Sequence, residues 1–572
     1  MLSRRHELNK IALLELKKDV EETREFSSYF SKMADLLLYV NEIYDTKERT
    51  LEQLKQWNRI WYEEISPEQY AHSFGNPEFC TEKFGKEYGQ IFAFLYAEMR
   101  SGFIYAIEGR LFDLVINNEL FLEISNLFLS GEEHPQKIKH IVFDHMRDYS
   151  EDVFEYRIRE QLDPELDFAT KIVMESDLSD PDILYQYGEY ISENEIDTLK
   201  FLNKLPQEEI TAMAKTYVDG FHEGFIINNI DMSPKRSVNI RYTIGFEPVV
   251  REAVRLFSEI GLAPIIYRSG VSVLTRGLHK IGYVSSSPNP QYEYDHRYDQ
   301  AIFFDNRFMK HKLECYHNAY EHYKDEAYVF AGPACMETFG EIPFLPENKE
   351  ENLKLSKKQQ ELSVEFQMKA SEIMNQYIKP EQRSFTIISY PIPEIGDNFE
   401  EIFKEVVKVN TLDKDKYRQI QQHLIDALNQ AVEVHIKGKG KNKTNVAVTN
   451  KTYNKYINKI GIAGRELFAQ FFMRIYDEIP TSVLAQFSKL KIEQAPNFRD
   501  FRQAFRAKLG RNFVVPANSF DNVKGQFPIG FFIWHLGEET IFTQTITDIF
   551  DAKGNCLGNK TLIAYDSFNS IN

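Results

Sequence analysis

The length, composition and charge of the chain restrict it to folded globular proteins. Its 572 residues are 43 % hydrophobic and 14 % aromatic, which excludes a disordered, collagen-like or low-complexity chain. The net charge of −18 is unevenly distributed, because the residues from Gly438 onward contain 18 Lys and Arg against 11 Asp and Glu. Residues 1–437 contain 50 against 75, so a basic tail of +7 follows an acidic body of −25.

The spacing of the cysteines and the hydropathy of the chain indicate where in the cell the protein is expected. The four cysteines lie far apart without a paired spacing, which argues against a disulfide framework or a cysteine zinc site. No apolar run approaches the roughly 18 residues that a membrane helix needs, and the first 22 residues are charged throughout. We therefore expect a cytoplasmic protein with no membrane partner.

Residues 1–230 are predicted to be a helical amino-terminal region. Apolar residues recur there at helical spacing, as in the series Phe26, Phe30, Met33, Leu37, Val40 and Tyr44. Such a stripe predicts helices that pack by one face into a core.

Residues 231–437 are predicted to be an α/β domain with a mainly parallel sheet. Patterning predicts strands at 237–243, 264–268, 300–304, 327–330 and 385–389, and helices at 247–260, 307–324 and 355–377. Strands that alternate with helices indicate crossover connections and hence parallel pairing.

The run IKGKGKNKTN at 436–445 divides this body from a basic carboxy-terminal segment, 438–572. We interpret the run as a solvated connector, with a phosphate-contacting strip as the alternative. Beyond it, mixed α/β structure is predicted, with helices at 466–479 and 498–509 and strands at 482–490, 513–516, 529–534 and 540–550. The second helix is expected to display Arg499, Arg502 and Arg506.

Motifs that carry common chemistry are few. The sequence has no GxxxxGK[ST] and no GxGxxG after a strand, so phosphate binding by the usual loops is unsupported. His317, Glu321 and His322 form HxxxEH, one residue longer than the inverted zinc motif, and an ordinary amphipathic helix is the favoured interpretation. We expect no metal ligand there.

The best local candidate for a substrate-contacting surface is Tyr292–Asp299. Three tyrosines, an arginine, a histidine and three acids lie within these eight residues, and we single out Tyr294, Asp295, His296 and Arg297. A structural polar network is the favoured alternative. A turn at 331–337 would place Cys335 after a strand, where a buried thiol is more common than a nucleophile.

Residues 1 to about 445 resemble bacterial leucyl aminopeptidases of the aminopeptidase T type. The resemblance is carried by NPEFCTEKFGKEYGQIFAFLYAEMR (76–100), YQYGEYISENE (185–195), QYEYDHRYDQA (291–301), AGPACMETFGEIP (331–343), RSFTIISYPIPEIGDNFEEIF (383–403) and NTLDKDKYRQIQQHLIDAL (410–428). It implies a metallopeptidase that uses two divalent ions to release amino-terminal residues. The family's metal ligands follow the GKGKN segment, where this sequence departs from it, so no metal ligand is assigned.

The segment that follows resembles a second family, the carboxy-terminal part of adenine-specific DNA methyltransferases of restriction-modification systems. The matching stretches are GIAGRELFAQFFMRIYDEIP (461–480), SKLKIEQAPNFRDFRQAF (488–505) and FVVPANSFDNVKGQFPIGFFIW (513–534). In such enzymes the binding motif for S-adenosylmethionine and the catalytic Asn-Pro-Pro-Tyr motif lie upstream of this part. Both expected motifs are absent from this sequence. No cofactor is therefore expected in this chain.

The sequence thus predicts a chimera that joins the front of an aminopeptidase to the back of a DNA methyltransferase near 436–445. A gene fusion and an assembly error both explain such a junction. The leading hypothesis is an aminopeptidase-family protein without peptidase activity, with peptides as possible ligands. The alternatives are a DNA-binding or methyltransferase-related protein that contacts DNA through its basic tail, and a noncatalytic interaction protein.

Overall fold

Helices occupy the first 227 residues of the computed structural model before any strand begins. The structure describes residues 1–270, 287–342, 344–411, 419–423, 425–426, 451–520, 527–541 and 543–563. The twelve α-helices of this region are α1 (Leu2–Asp19), α2 (Ser27–Asp45), α3 (Leu51–Glu63), α4 (Pro77–Phe84), α5 (Lys86–Arg100), α6 (Gly102–Glu108), α7 (Leu111–Leu129), α8 (Pro135–Asp148), α9 (Ser150–Leu162), α10 (Phe168–Glu175), α11 (Glu193–Leu202) and α12 (Gln207–Ile227).

A four-stranded parallel sheet follows, in the order β2-β1-β3-β4. Its strands are β1 (Ser237–Thr243), β2 (Ala263–Ser269), β3 (Phe330–Phe339) and β4 (Thr386–Pro391). The helices between and after them are α13 (Glu247–Glu259), α14 (Pro290–Asp295), α15 (Asn306–His322), α16 (Lys324–Val329), α17 (Lys357–Tyr377) and α18 (Phe399–Asn410). The predicted α/β class with a mainly parallel sheet is confirmed.

Two of the predicted strands are wrong. Residues 300–304 lie in and after the 3-10 helix Asp299–Ile302, where Phe304 N–H bonds to the Gln300 carbonyl instead of a neighbouring strand. Residues 327–329 are the last turn of α16, and β3 begins at Phe330. The predicted turn at 331–337 is the middle of β3, so Cys335 lies within a strand, paired with Arg241 of β1.

One hydrophobic core connects the amino-terminal helices to the sheet within a compact unit, Met1–Leu424. Its helical part is rich in aromatic contacts: the rings of Tyr29 and Phe92 stack at 4.2 Å, and the Tyr29 hydroxyl donates to the Phe92 carbonyl.

None of the helices in the described ranges is long and apolar enough to cross a membrane.

The second compact unit is Ile425–Asn572, and the connector 436–445 lies outside the described residues. Its elements are α19 (Lys451–Ile460), α20 (Leu467–Glu478), β5 (Val483–Lys489), α21 (Lys491–Gln494), α22 (Arg499–Ala504), β6 (Ala507–Pro516), β7 (Pro528–Glu539), β8 (Gln544–Phe550) and β9 (Cys556–Ile563). The sheet has the order β5-β7-β6-β8-β9, and only its β6–β8 pair is parallel. This matches the predicted small mixed α/β segment.

The helix predicted at 498–509 is much shorter than expected. The chain leaves the helix at Phe505, whose backbone is extended, and β6 begins at Ala507. Arg502 is not displayed, because it is only 6 % exposed and donates hydrogen bonds to the carbonyls of Ile492 and Ala495. The helix buries Phe501 against the unit's core, and that burial carries Arg502 inward.

Candidate functional site

The segment Tyr292–Asp299, singled out from the sequence, forms a buried polar network. Asp295 is 1 % exposed. Its carboxylate accepts hydrogen bonds or an ion pair at 2.6–3.0 Å from four side chains, those of Tyr70, Gln291, Lys349 and Asn352. Buried charges need such partners to offset the loss of water. The network therefore ties α14 to distant parts of the chain.

The other three candidate residues of this segment also have protein partners. His296 is 3 % exposed, with Nδ1 2.8 Å from Asp299 Oδ2 and Nε2 2.6 Å from the Gly75 carbonyl. Tyr294 donates to Asn348 Oδ1, and the Arg297 guanidinium stacks 3.5 Å above the Tyr294 ring. Asp295 and His296 are therefore buried parts of the structural network, while Tyr294 and Arg297 are only partly buried.

The HxxxEH residues do not converge on one point. Tyr377 OH donates to Glu321 Oε2 at 2.9 Å and lies 3.3 Å from His317 Nε2. His322 faces Glu155 on another helix. As the helical spacing predicts, His317 and Glu321 lie on one face of α15, and His322 lies on another.

One group in the described part of the chain brings three possible metal ligands together, His6, Glu7 and Asp45. The Lys10 ammonium lies 2.5 Å from Asp45 Oδ2 and 3.5 Å from Glu7 Oε1. It already supplies the positive charge that a cation would bring. These residues therefore do not fit the two-metal centre that the aminopeptidase resemblance implies.

The central crevice of the parallel sheet is closed by the protein itself. In open α/β sheets, ligands usually bind where the strand order reverses, here at the carboxyl ends of β1 and β3. After β1, Gly245 has φ +106°, and a Cβ there would lie 2.8 Å from the Glu195 carbonyl of α11. Helix α11 thus packs directly on this turn.

The same turn holds a buried carboxyl group. Glu247 accepts hydrogen bonds from the Gly245 N–H and from Tyr242 OH, which in turn lies 2.8 Å from Tyr187 OH. Burial raises the pKa of Glu247 to about 7, and these hydrogen bonds only partly oppose the rise. With α11 packed over it, the turn is part of the interior.

A cavity of about 360 Å³ lies instead at the edge of the sheet, at the carboxyl end of β2. We call it the β2 cavity. Its charged lining residues are Glu108, Glu160, Glu165, Asp167, Lys171 and Arg268, and its apolar lining residues are Leu166, Phe168, Ala169, Ile172 and Ile266. Small-molecule sites combine an apolar wall with a few polar groups in this way.

Most charges of the β2 cavity are already paired. Arg268, the next-to-last residue of β2, forms a buried ion pair with Glu108 of α6. Lys171 Nζ lies 2.9 Å from Asp167 Oδ1. Such pairs fix the shape of the walls but leave little capacity to bind another charge.

Glu160 of α9 differs from these residues. Among the described residues, no side chain or backbone group forms a hydrogen bond or an ion pair with its carboxylate. Burial raises the pKa of Glu160, and the field of Glu108 adds to this rise. The fields of three nearby arginines, Arg110, Arg268 and Arg157, oppose it. A partly buried carboxyl group that faces a cavity without a partner is a candidate ligand-binding group.

Sequence reasoning missed Glu160, although one signal was present. The predicted strand 264–268 ends at Arg268, and the carboxyl ends of parallel strands are where such sheets hold ligands. Glu108 and Glu160 lie more than 100 residues earlier, in helices whose packing on β2 no local pattern reveals.

The second unit has a separate candidate surface on the outer side of its sheet. Phe487 of β5, Phe531 of β7 and Phe513 of β6 pair across the strands, with ring centroids 4.6–5.9 Å apart. We call these three residues the phenylalanine face. Phe487 is 50 % exposed. By strand alternation, Lys489 and Arg511 lie on the same side of the sheet.

Comparison with known proteins returned no relative: no family model, no curated protein and no solved structure matches this chain. The fold therefore defines the class, an α/β protein with an edge cavity in its first unit and a mixed sheet in its second. Function has to be argued from these sites.

Proposed function

We propose that the amino-terminal unit binds the free amino group of an amino acid or short peptide in the β2 cavity. The observation that carries this proposal is the Glu160 carboxylate, which faces the cavity without a partner among the described residues. A carboxylate in a partly buried site is a strong acceptor for an ammonium group.

Size and lining support this class of ligand. The volume of about 360 Å³ is near the lower end for ligand sites, which favours a small molecule. Two of the four lining acids, Glu108 and Asp167, are paired with the two lining bases. The remaining acids, Glu160 and Glu165, favour a cation as the ligand. Phe168, Ile172 and Ile266 provide an apolar wall for the side chain that follows the amino group.

The proposal is one of binding without hydrolysis. It agrees with the resemblance of residues 1–445 to aminopeptidases, whose substrates carry a free amino terminus. The hydrolytic step of that family needs two ions and their ligands, and we assign such ligands to no residue of this chain. We further propose a cytoplasmic location, which rests on the cysteine usage of the sequence.

Glu160→Gln is expected to weaken binding of leucinamide by about tenfold or more, because it removes a charge-assisted hydrogen bond. Titration calorimetry on the full chain measures this change. Affinity should fall as the pH drops through the raised pKa of Glu160, because the protonated carboxyl no longer attracts ammonium. It should also fall above about pH 8, where the ligand's amino group loses its charge.

Glu165→Gln is the matched control, since Glu165 lines the same cavity but is exposed. It should change the affinity by less than about twofold. N-acetyl-leucinamide, which lacks the amino group, should not bind. Equal affinity of wild type and Glu160→Gln for leucinamide would refute the proposal.

A second candidate function belongs to the second unit: contact with single-stranded DNA through the phenylalanine face. The exposed ring of Phe487, beside the partly exposed rings of Phe513 and Phe531 and near Lys489 and Arg511, offers what base stacking and phosphate contact require. The basic charge of the tail and its resemblance to DNA methyltransferases favour the same partner. Methyl transfer is not proposed, because the catalytic tetrapeptide is absent from the sequence. Either function would make the chain a noncatalytic interaction protein.

Phe487→Ser is expected to reduce affinity for an oligothymidine by about tenfold, the effect of one lost base stack. Fluorescence anisotropy of the full chain at low and moderate salt measures this loss. Phe471→Ser is the control, because Phe471 of α20 is 49 % exposed but lies outside the phenylalanine face. Absence of binding at 50 mM salt, or equal losses in the two variants, would rule out this surface.

A further inference from the structure

A second cavity of the first unit has no part in either proposed function. It has a volume of about 420 Å³ and is lined on one side by Lys47 and Arg49. We call it the Arg49 cavity. None of the described residues that line it is acidic, so the positive charge of its wall has no negative counterpart there.

Arg49 is fixed in this wall by hydrogen bonds to backbone carbonyl groups. Its Nε donates to Thr46 and its Nη1 to Ile107, both at 3.0 Å. Its Nη2 donates to Ile43 and Ala106, also at 3.0 Å. These carbonyls lie at the carboxyl ends of α2 and α6, where helices leave such groups without intrahelical partners. A guanidinium has five N–H groups, and the fifth, on Nη1, has no acceptor among the described residues.

The charges of both basic residues are available to a ligand. Carbonyl groups hold Arg49 in place, but they are neutral and do not cancel its charge. Within the described ranges, neither Arg49 nor Lys47 forms an ion pair with a carboxylate. The Lys47 ammonium lies 4.8 Å from the centroid of the Tyr44 ring, which also lines the cavity. Two cations therefore face one cavity, and a bound anion would supply their counter-charge.

We propose that the Arg49 cavity binds the carboxylate group of a small molecule with an apolar body. Leu54, Ile107 and Phe168 provide apolar surface for that body. One guanidinium N–H and one ammonium suit the single charge of a carboxylate, whereas a phosphate group carries more charge and a third acceptor oxygen. Because its carbonyl partners already hold Arg49, binding costs little side-chain entropy there.

This site differs from the β2 cavity, although Phe168 and Ile172 line both. The acids of the β2 cavity that lack a basic partner, Glu160 and Glu165, favour a cation. The Arg49 cavity has the opposite charge and favours an anion. The carboxylate proposal therefore does not depend on the proposed binding of an amino group.

Titration calorimetry of the full chain with 3-phenylpropionate tests the proposal. The acid is expected to bind, and the uncharged 3-phenylpropanamide is expected to bind about tenfold more weakly, because it lacks the charge that the two cations attract. No binding of the acid, or equal affinity for acid and amide, would overturn the proposal. Displacement of the acid by an equal concentration of inorganic phosphate would contradict the preference for a carboxylate.

The variant Lys47→Gln locates the binding site. It should weaken binding of 3-phenylpropionate by about fivefold, the effect of one lost exposed ion pair, and leave binding of the amide unchanged. Lys47 is the residue to substitute, because Arg49 also holds the ends of α2 and α6 and its loss would change stability together with binding. Lys18→Gln is the matched control, since Lys18 of α1 is exposed and lies outside the cavity. Unchanged affinity in Lys47→Gln, or equal losses in the two variants, would show that the acid binds elsewhere.

Discussion

Asp295→Ala is expected to lower the free energy of unfolding of the first unit by about 3–5 kcal/mol. The substitution removes the carboxylate that four side chains contact. It leaves the Lys349 ammonium, whose side chain is 6 % exposed, with only the more distant and largely exposed Glu78 carboxylate, 4.0 Å away, as a counter-charge. The Tyr70 hydroxyl also loses its carboxylate acceptor. Urea unfolding, monitored by hydrogen exchange of peptides from the first unit, measures the loss of stability.

The double variant Asp295→Ala/Lys349→Met is the control for the charge effect. Because it removes both charges, its loss should be smaller than that of Asp295→Ala alone, although the cavity remains. Exchange rates in the second unit should not change. A loss below about 1 kcal/mol for Asp295→Ala would mean that water replaces the carboxylate and that the network is not structural.

Gly332→Ala is expected to disrupt the pairing of β3 with β4. Gly332 has φ +126°, and a Cβ there would lie 1.9 Å from the Ser384 carbonyl oxygen, which is backbone and cannot rotate away. The variant combines a strained conformation with an overpacked contact, so a loss of about 3 kcal/mol or more is expected. Thermal unfolding and expression in the soluble fraction measure the effect.

Gly396→Ala separates conformational strain from the steric clash. Gly396 has a similar φ of +115°, but no atom lies within 4 Å of its Cβ position. We expect a loss of only about 1–2 kcal/mol, the cost of a positive φ without a collision. Equal losses in the two variants would show that φ, and not the Ser384 carbonyl, determines the behaviour of Gly332.

Much of the fold could be predicted from the sequence, because its elements have clear local patterns. The strand predicted at 237–243 is found at Ser237–Thr243, and the helix predicted at 247–260 ends at Glu259. Prediction failed where local patterns are ambiguous. Residues 300–304 are apolar enough for a strand, but the chain turns there, and the backbone N–H groups of Phe303 and Phe304 donate hydrogen bonds to the Gln300 carbonyl.

The candidate site was less predictable than the fold. Asp295 and His296 were singled out because charged and aromatic residues are dense around them, yet that density reflects a buried network that joins α14 to Tyr70 and Lys349. No pattern in the sequence around Glu160 itself points to it, and the one indirect signal was the predicted end of a strand at Arg268. The importance of Glu160 follows from the packing of α9 near the end of β2, which only tertiary structure reveals.

The turn around Gly245 has a consequence for how this protein could diverge. With α11 seated over the middle of the sheet, a change in ligand preference cannot arise there without rebuilding the interior. Among the described residues, the β2 cavity has part of its lining, Glu165, Leu166 and Asp167, in the loop between α9 and α10, where substitutions disturb the interior less. Descendants of this chain should therefore vary in what they recognise by altering that loop, while the centre of the sheet stays the same.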